Sequence, residues 1–130
     1  MKIALLADTH FGARNDNLNF NEYFYNFYEG VFFPYLHQNN IKHCIHLGDL
    51  MDRRKFVSYK TAKDFRERFI LPFDTLDIDL HIMIGNHDTF YKNTNDVNSV
   101  QELLGGRYKN IKIYPEAQEV VFDGTKILFL

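Results

Sequence analysis

Three short stretches of the chain carry residue types that bind divalent cations: Asp8-Thr-His10, Gly48-Asp49-Leu-Met-Asp52 and Gly85-Asn86-His87-Asp88. Taken singly, each has a bland reading, since Gly-Asp is most often a turn and Asn-His-Asp a polar loop. Taken in order, each directly after an apolar run, they favour a metal site, because the carboxyl ends of strands in an α/β sheet converge on one crevice. Asp8 and His10 are two apart and leave an extended stretch on the same side. Gly48 lets the backbone turn sharply and present Asp49. Asn86 offers a neutral carbonyl oxygen and His87 an imidazole, again after a glycine. Mixed Asp, His and Asn donors suit Mn, Fe or Zn better than Ca or an all-thiolate site. Two such ions about 3.5–4 Å apart, sharing a carboxylate, clamp the attacking and leaving oxygens of a phosphate ester and acidify water into a nucleophile. A histidine beside them that is not a ligand can protonate the leaving oxygen or stabilise transition-state charge.

The elements that must position these groups alternate. Ile3–Ala7 reads as a buried strand ending at Asp8, Ile41–Leu47 as a second running into Gly48-Asp49, and Ile78–Ile84 as a third ending at Gly85. Between the first two, residues 19–38 read as a helix, with Phe20, Phe24, Phe27, Val31 and Tyr35 at helical spacing. Asn19 and Glu22 form a capping-box pair, and Pro34 should kink the helix. A second helix starts after Ser58, with Tyr59, Ala62, Phe65 and Phe69 inward, and Pro72 should stop it. A short helix follows near 97–104. Ile111–Tyr114, Glu119–Phe122 and Lys126–Leu130 read as strands, the last two joined by an Asp123-Gly124 hairpin turn. The expected fold is α/β, with mixed sheets flanked by helices. His37, His43, His46 and His81 lack ligand spacing and are expected on the surface or as satisfied core residues. Cys44 is expected to be an inert core thiol.

Composition narrows the function classes. The 130 residues are 45% hydrophobic and 25% charged, which excludes wholesale disorder. No apolar run reaches the ~20 residues of a membrane span, and a lone cysteine fits a reducing cytoplasm and excludes a disulfide framework. With a net charge of −2, any nucleic-acid binding must come from a local patch. Residues 53–68 supply one: Arg53, Arg54, Lys55, Lys60, Lys63, Arg66 and Arg68 against Asp64 and Glu67. Such a stripe, beginning just beyond Asp49, could track a DNA backbone. Tyr91 and Lys92 could stack on or pair with a frayed strand.

The three motifs, with Arg53 completing the second, resemble those of the calcineurin-like metallophosphoesterases. Gly48-Asp49-Leu-Met-Asp52-Arg53-Arg54-Lys55, Gly85-Asn86-His87-Asp88 with Tyr91-Lys92-Asn93, Glu102-Leu103-Leu104 and Phe122-Asp123-Gly124 are similar to the nuclease subunits of phage recombination endonucleases, relatives of the SbcD-type exonucleases. The resemblance implies a metallophosphoesterase β-sandwich and two divalent ions, Mn first, with Fe, Zn or Mg as alternatives. It implies Asp8 and His10 on the first ion, Asp49 bridging, Asn86 on the second, His87 as the catalytic histidine and Asp88 orienting it. Asp52 and Arg53 would support the site from behind. By resemblance the partners are DNA and a coiled-coil ATPase subunit, with the nuclease a homodimer in the (host) cytoplasm, acting in recombination and repair. Members of the superfamily complete the site with further histidines, and none follows His87 here. Residues 1–130 are therefore expected to be the N-terminal portion of the domain, truncated after Leu130. The alternatives are a metallophosphatase on phosphoproteins or small phosphate esters, which shares the metal chemistry, and a catalytically incomplete DNA-binding fragment. Phosphoprotein phosphatases of this superfamily typically carry Gly after the Asp-Arg pair and Glu after Asn-His, where this chain has Arg54 and Asp88.

Overall fold

A computed structural model describes residues 1–11, 18–50, 59–83 and 108–129. Four strands, β1 (Ile3–Leu6), β2 (His43–His46), β3 (Asp79–Met83) and β4 (Ile111–Tyr114), form a parallel sheet in that spatial order. A second, antiparallel sheet consists of β5 (Gln118–Phe122) and β6 (Thr125–Phe129), joined at Asp123-Gly124. Both turn residues have positive φ, 49° and 81°, as a tight two-residue hairpin requires. The short helix expected near 97–104 lies outside the described residues.

Alternation along the strands sorts the sheet into two faces. Cys44, Leu80 and Ile82, with Ala4, Leu6, Ile111 and Ile113, face the helices and join the larger core. Ile45, with Ile3, Met83 and Tyr114, meets Phe122 and Phe129 of the hairpin. This gives the expected two-sheet packing with helices outside. Cys44 is fully buried and burial pushes its thiol up to about 12, so it is the inert core residue expected. Strand β1 is less buried than its apolar sequence suggests. It is an edge strand, and Leu5 is 62% exposed.

The helical layer differs from the sequence expectation in phase. Helix α1 (Leu18–Phe27) runs through a wide turn at Tyr28–Phe32 into α2 (Phe33–Gln38). Helix α3 (Tyr59–Asp64) runs through a similar turn at Phe65–Ile70 into α4 (Leu71–Leu76). In the wide turns the Phe33 and Leu71 amides bond five residues back, to the carbonyls of Tyr28 and Arg66. Pro34 and Pro72 sit one residue further on, in the first turn of the resumed α-helix, where a missing N–H costs least. Pro72 therefore does not stop the helix, which ends at Asp77 in a left-handed conformation. The buried face of the first helix also differs from the expected stripe, before its wide turn as well as after it. Tyr25, Tyr28, Phe33 and Leu36 are buried, whereas Phe24, Phe27, Val31 and Tyr35 of the expected stripe are exposed. In the second helix Ala62, Phe65 and Phe69 point inward as expected, but Tyr59, on the first turn, is 80% exposed.

The expected capping box is not made. Asn19 lies inside α1, and the Glu22 carboxylate accepts from Arg68 Nη2 at 3.0 Å. Arg68 also bonds Glu29 and lies over the Tyr25 ring at 4.6 Å, tying the two helices together. Lys60 pairs with Asp64 at 2.8 Å. Two cations of the basic stripe are thus already held by carboxylates of this chain.

Candidate metal centre

The parallel pairing of β1 and β2 does not end with the strands. The Leu47 amide donates to the Leu6 carbonyl (2.8 Å), Asp8 to Gly48 (3.1 Å), His10 to Asp49 (3.0 Å) and Phe11 to Leu50 (3.0 Å). The two ligand-bearing loops are zipped side by side at the carboxyl edge of the sheet. Beyond them Phe11 is buried among rings, 4.8 Å from Phe69, 5.0 Å from Phe65 and 5.7 Å from Tyr25. The loop therefore leaves the sheet, presents its candidate ligands and is anchored at once in the core.

Asp8, His10 and Asp49 converge. His10 Nε2 is 3.5 Å from Asp49 Oδ2 and 3.9 Å from Asp8 Oδ1, and one donor atom of each lies within 4.8 Å of the others. Donors about 2.1 Å from a common ion stand roughly 3–3.5 Å apart, so small side-chain adjustments close this set around one cation. Two carboxylates and an imidazole fit a borderline divalent ion. The local geometry corrects one expectation. Asp8 and His10 do not share a side through extended backbone: their φ values are 56° and 44°. Asp49 has φ 54°, after Gly48 at 131°. All three acidic and imidazole donors sit in the left-handed region, which costs non-glycine residues about 1 kcal/mol each and concentrates at functional sites.

A residue that spacing did not single out holds the two loops in register. His46, the last residue of β2, is fully buried on the helix side of the sheet. The Gly48 amide donates to its Nδ1 at 3.2 Å, so Nε2 carries the proton and donates to Thr9 Oγ1 at 2.9 Å. The Thr9 hydroxyl in turn donates to the Leu50 carbonyl at 2.9 Å. Every donor and acceptor in this network has a single consistent direction, and it fixes Thr9, between Asp8 and His10, and Gly48 and Leu50, on either side of Asp49. No motif marks it. A His six residues before Asp52 and a Thr inside Asp-x-His become informative only when the strands are paired. His46 is thus a satisfied core histidine, as expected, with a positioning role.

Burial lowers His46 from the usual 6.5 to about 4, against the nearby Asp49, and lowers His81 to about 4 for the same first reason. Protonation therefore opposes folding. The stability contributed by the neutral rings is fully present above pH 6.5 and is lost as pH falls toward 4. The urea midpoint is expected to drop across that window. A His46→Leu chain, less stable at pH 7 because Thr9 and Gly48 lose a partner, should retain only the His81 share of the slope. An unchanged slope would show that His46 does not titrate this way.

Asn86, His87 and Asp88, with Asp52, Arg53, Arg54, Lys55, Tyr91 and Lys92, lie outside the described residues. Of the expected ligand set, the structure brings together Asp8, His10 and Asp49.

A parallel sheet with helices on one face, a hairpin on the other and an Asp/His/Asp cluster at its carboxyl edge defines a metal-dependent phosphoesterase architecture. The calcineurin-like phosphoesterase family model matches residues 1–130, and the chain belongs to that family, whose members bind divalent metals. The chain is also 35% identical, over 130 residues, to exonuclease subunit 1 of Enterobacteria phage T4; the match covers 98% of this chain and 37% of that protein. It thus spans little more than a third of the length of this relative. Among the described residues no helix is long and apolar enough to cross a membrane.

Proposed function

We propose that this chain is the metal-binding part of a DNA nuclease that hydrolyses phosphodiesters with two divalent ions, Mn²⁺ first among them. The observation that carries the reading is the convergence of Asp8, His10 and Asp49 at the carboxyl edge of the sheet. Similarity to an exonuclease subunit favours DNA over other phosphate esters. When bound, the ions supply Lewis acidity and an activated water. Asp8 and His10 would hold the first ion, Asn86 the second, and Asp49 would be shared between them. His87 protonates the leaving oxygen, oriented by Asp88. Arg53, Arg54, Lys55, Tyr91 and Lys92 hold the DNA strand. The subunit name of the relative supports a second subunit, which we assign as a coiled-coil ATPase, with the nuclease a homodimer acting in recombination and repair in the cytoplasm.

The test is Mn²⁺-dependent cleavage of labelled duplex DNA, compared with p-nitrophenyl phosphate, by the full-length protein. DNA cleavage that EDTA abolishes is expected. Rapid turnover of the small ester with DNA left intact would establish the phosphatase alternative instead. His87→Ala is expected to abolish cleavage while leaving Mn²⁺ bound, because it removes a transition-state contact and not a ligand. Loss of metal in that variant would refute the role given to His87.

A further inference from the structure

On the hairpin side of the sheet, His43 opens β2, Asp79 opens β3, and His81 follows two residues on. The pairing register sets His43 beside Asp79 and Ile45 beside His81, so all three side chains share one face near the amino ends of the strands. This is the edge opposite Asp49. His43 Nδ1 lies 3.4 Å from His81 Nε2 and 3.9 Å from Asp79 Oδ2, and one donor atom of each residue lies within 4.8 Å of the other two. We infer that His43, Asp79 and His81 form a second divalent-metal site, suited to Zn²⁺, separate from the Asp8–His10–Asp49 centre.

Four features carry this beyond proximity. Nitrogens at about 2.05 Å from a tetrahedral Zn²⁺ stand about 3.35 Å apart, which is the His43–His81 separation, whereas a neutral hydrogen bond prefers about 3.0 Å. The Tyr114 hydroxyl lies 2.8 Å from His81 Nδ1 and can accept its proton, which leaves the Nε2 lone pair directed at His43. Fixing a ligand tautomer through the far ring nitrogen is how metal sites orient imidazoles. The carboxylate is also oriented: Asp79 Oδ1 accepts from Asn110 Nδ2 at 3.0 Å, and Oδ2 accepts from Lys112 Nζ at 3.2 Å. Lys112 is the competing cation. It is about half exposed, and its flexible stem lets it swing away when an ion binds. Phe122 covers both rings, 5.2 Å from His43 and 4.9 Å from His81, and keeps water off one side of the site. Two imidazoles and one carboxylate leave a fourth position open to water or to a partner's side chain.

The inference does not rest on the nuclease reading and is tested separately from it. The full chain carrying Asp49→Ala, which silences the other centre, is titrated with Co²⁺ as a spectroscopic substitute for Zn²⁺. A single ion with tetrahedral d–d bands, and a Zn²⁺-dependent rise in Tm, are expected. His43→Gln and Asp79→Asn, both at half-buried positions, are each expected to weaken this binding on the order of a hundredfold while the circular dichroism spectrum is kept. Lys112→Met should tighten it. Absence of Co²⁺ binding in the Asp49→Ala chain, or binding unchanged by both His43→Gln and Asp79→Asn, would overturn the site and leave a hydrogen-bonded histidine pair with Lys112 as its cation.

Discussion

Asp49→Ala is expected to lose divalent-metal binding at the carboxyl edge of the sheet, with affinity for Mn²⁺ falling by about 100-fold or more. On the function proposed above, nuclease activity of the full-length protein should fall by about 1,000-fold or more, since charge stabilisation in the transition state goes with the ions. Asp49 Oδ2 stands 3.5 Å from His10 Nε2, and the Asp49 carbonyl accepts from the His10 amide, so this residue joins both loops through side chain and backbone. The backbone contact survives truncation, which confines the expected effect to the carboxylate. Asp49→Gly separates function from stability. At φ 54° glycine is unstrained, so the Asp49→Gly chain without metal should unfold at no lower a temperature than the parent while binding metal as poorly as Asp49→Ala. Calorimetric titration with Mn²⁺ and thermal unfolding in EDTA read the two quantities. Undiminished Mn²⁺ affinity in either variant would remove Asp49 from the ligand set.

Phe11→Ala should destabilise the chain by about 3–5 kcal/mol, a loss of roughly 10–20 °C in Tm. The ring is 5% exposed and meets Tyr25, Tyr28, Phe65 and Phe69, with centroids 4.8–5.9 Å apart. Removing it leaves a cavity between the sheet edge and both helices. Phe11 also directly follows His10, and its amide bonds the Leu50 carbonyl. The variant should therefore bind Mn²⁺ more weakly even at temperatures where it stays folded. Phe11→Leu, which refills most of the volume, should recover most of both losses. A Phe11→Ala chain with parental Tm would show that the aromatic cluster does not carry this load. Normal Mn²⁺ affinity in a folded but destabilised variant would show that the ligand loop holds its shape without that anchor.

Much of the site was legible before folding because its chemistry is written locally. Asp8, His10 and Asp49 follow apolar runs, and a strand's carboxyl end is where an α/β sheet collects ligands. The Asp123-Gly124 turn, the strand order of elements and the burial of Cys44 rest equally on nearest neighbours and period-two alternation. What escaped the sequence depends on phase, on backbone handedness or on partners far along the chain. In the first helix Phe24, Phe27, Val31 and Tyr35, spaced for one face, emerged exposed and Tyr25, Tyr28, Phe33 and Leu36 became the core, because helical spacing alone does not say which of two apolar faces the sheet will cover. The left-handed conformations at Asp8 and His10 cannot be read from their residue types, since the paired loop across from them imposes the shape. The His46–Thr9 hydrogen bond spans 37 residues and the His43–His81 contact 38, distances over which spacing carries no signal until parallel pairing sets a register. The sequence by itself singled out Asp8, His10 and Asp49 as candidate ligands and placed them just beyond the ends of β1 and β2. Only the tertiary structure decided how the ligands are aimed and which histidines stand behind or opposite them, because those choices are made by hydrogen bonds and packing between segments that meet only when the sheet closes.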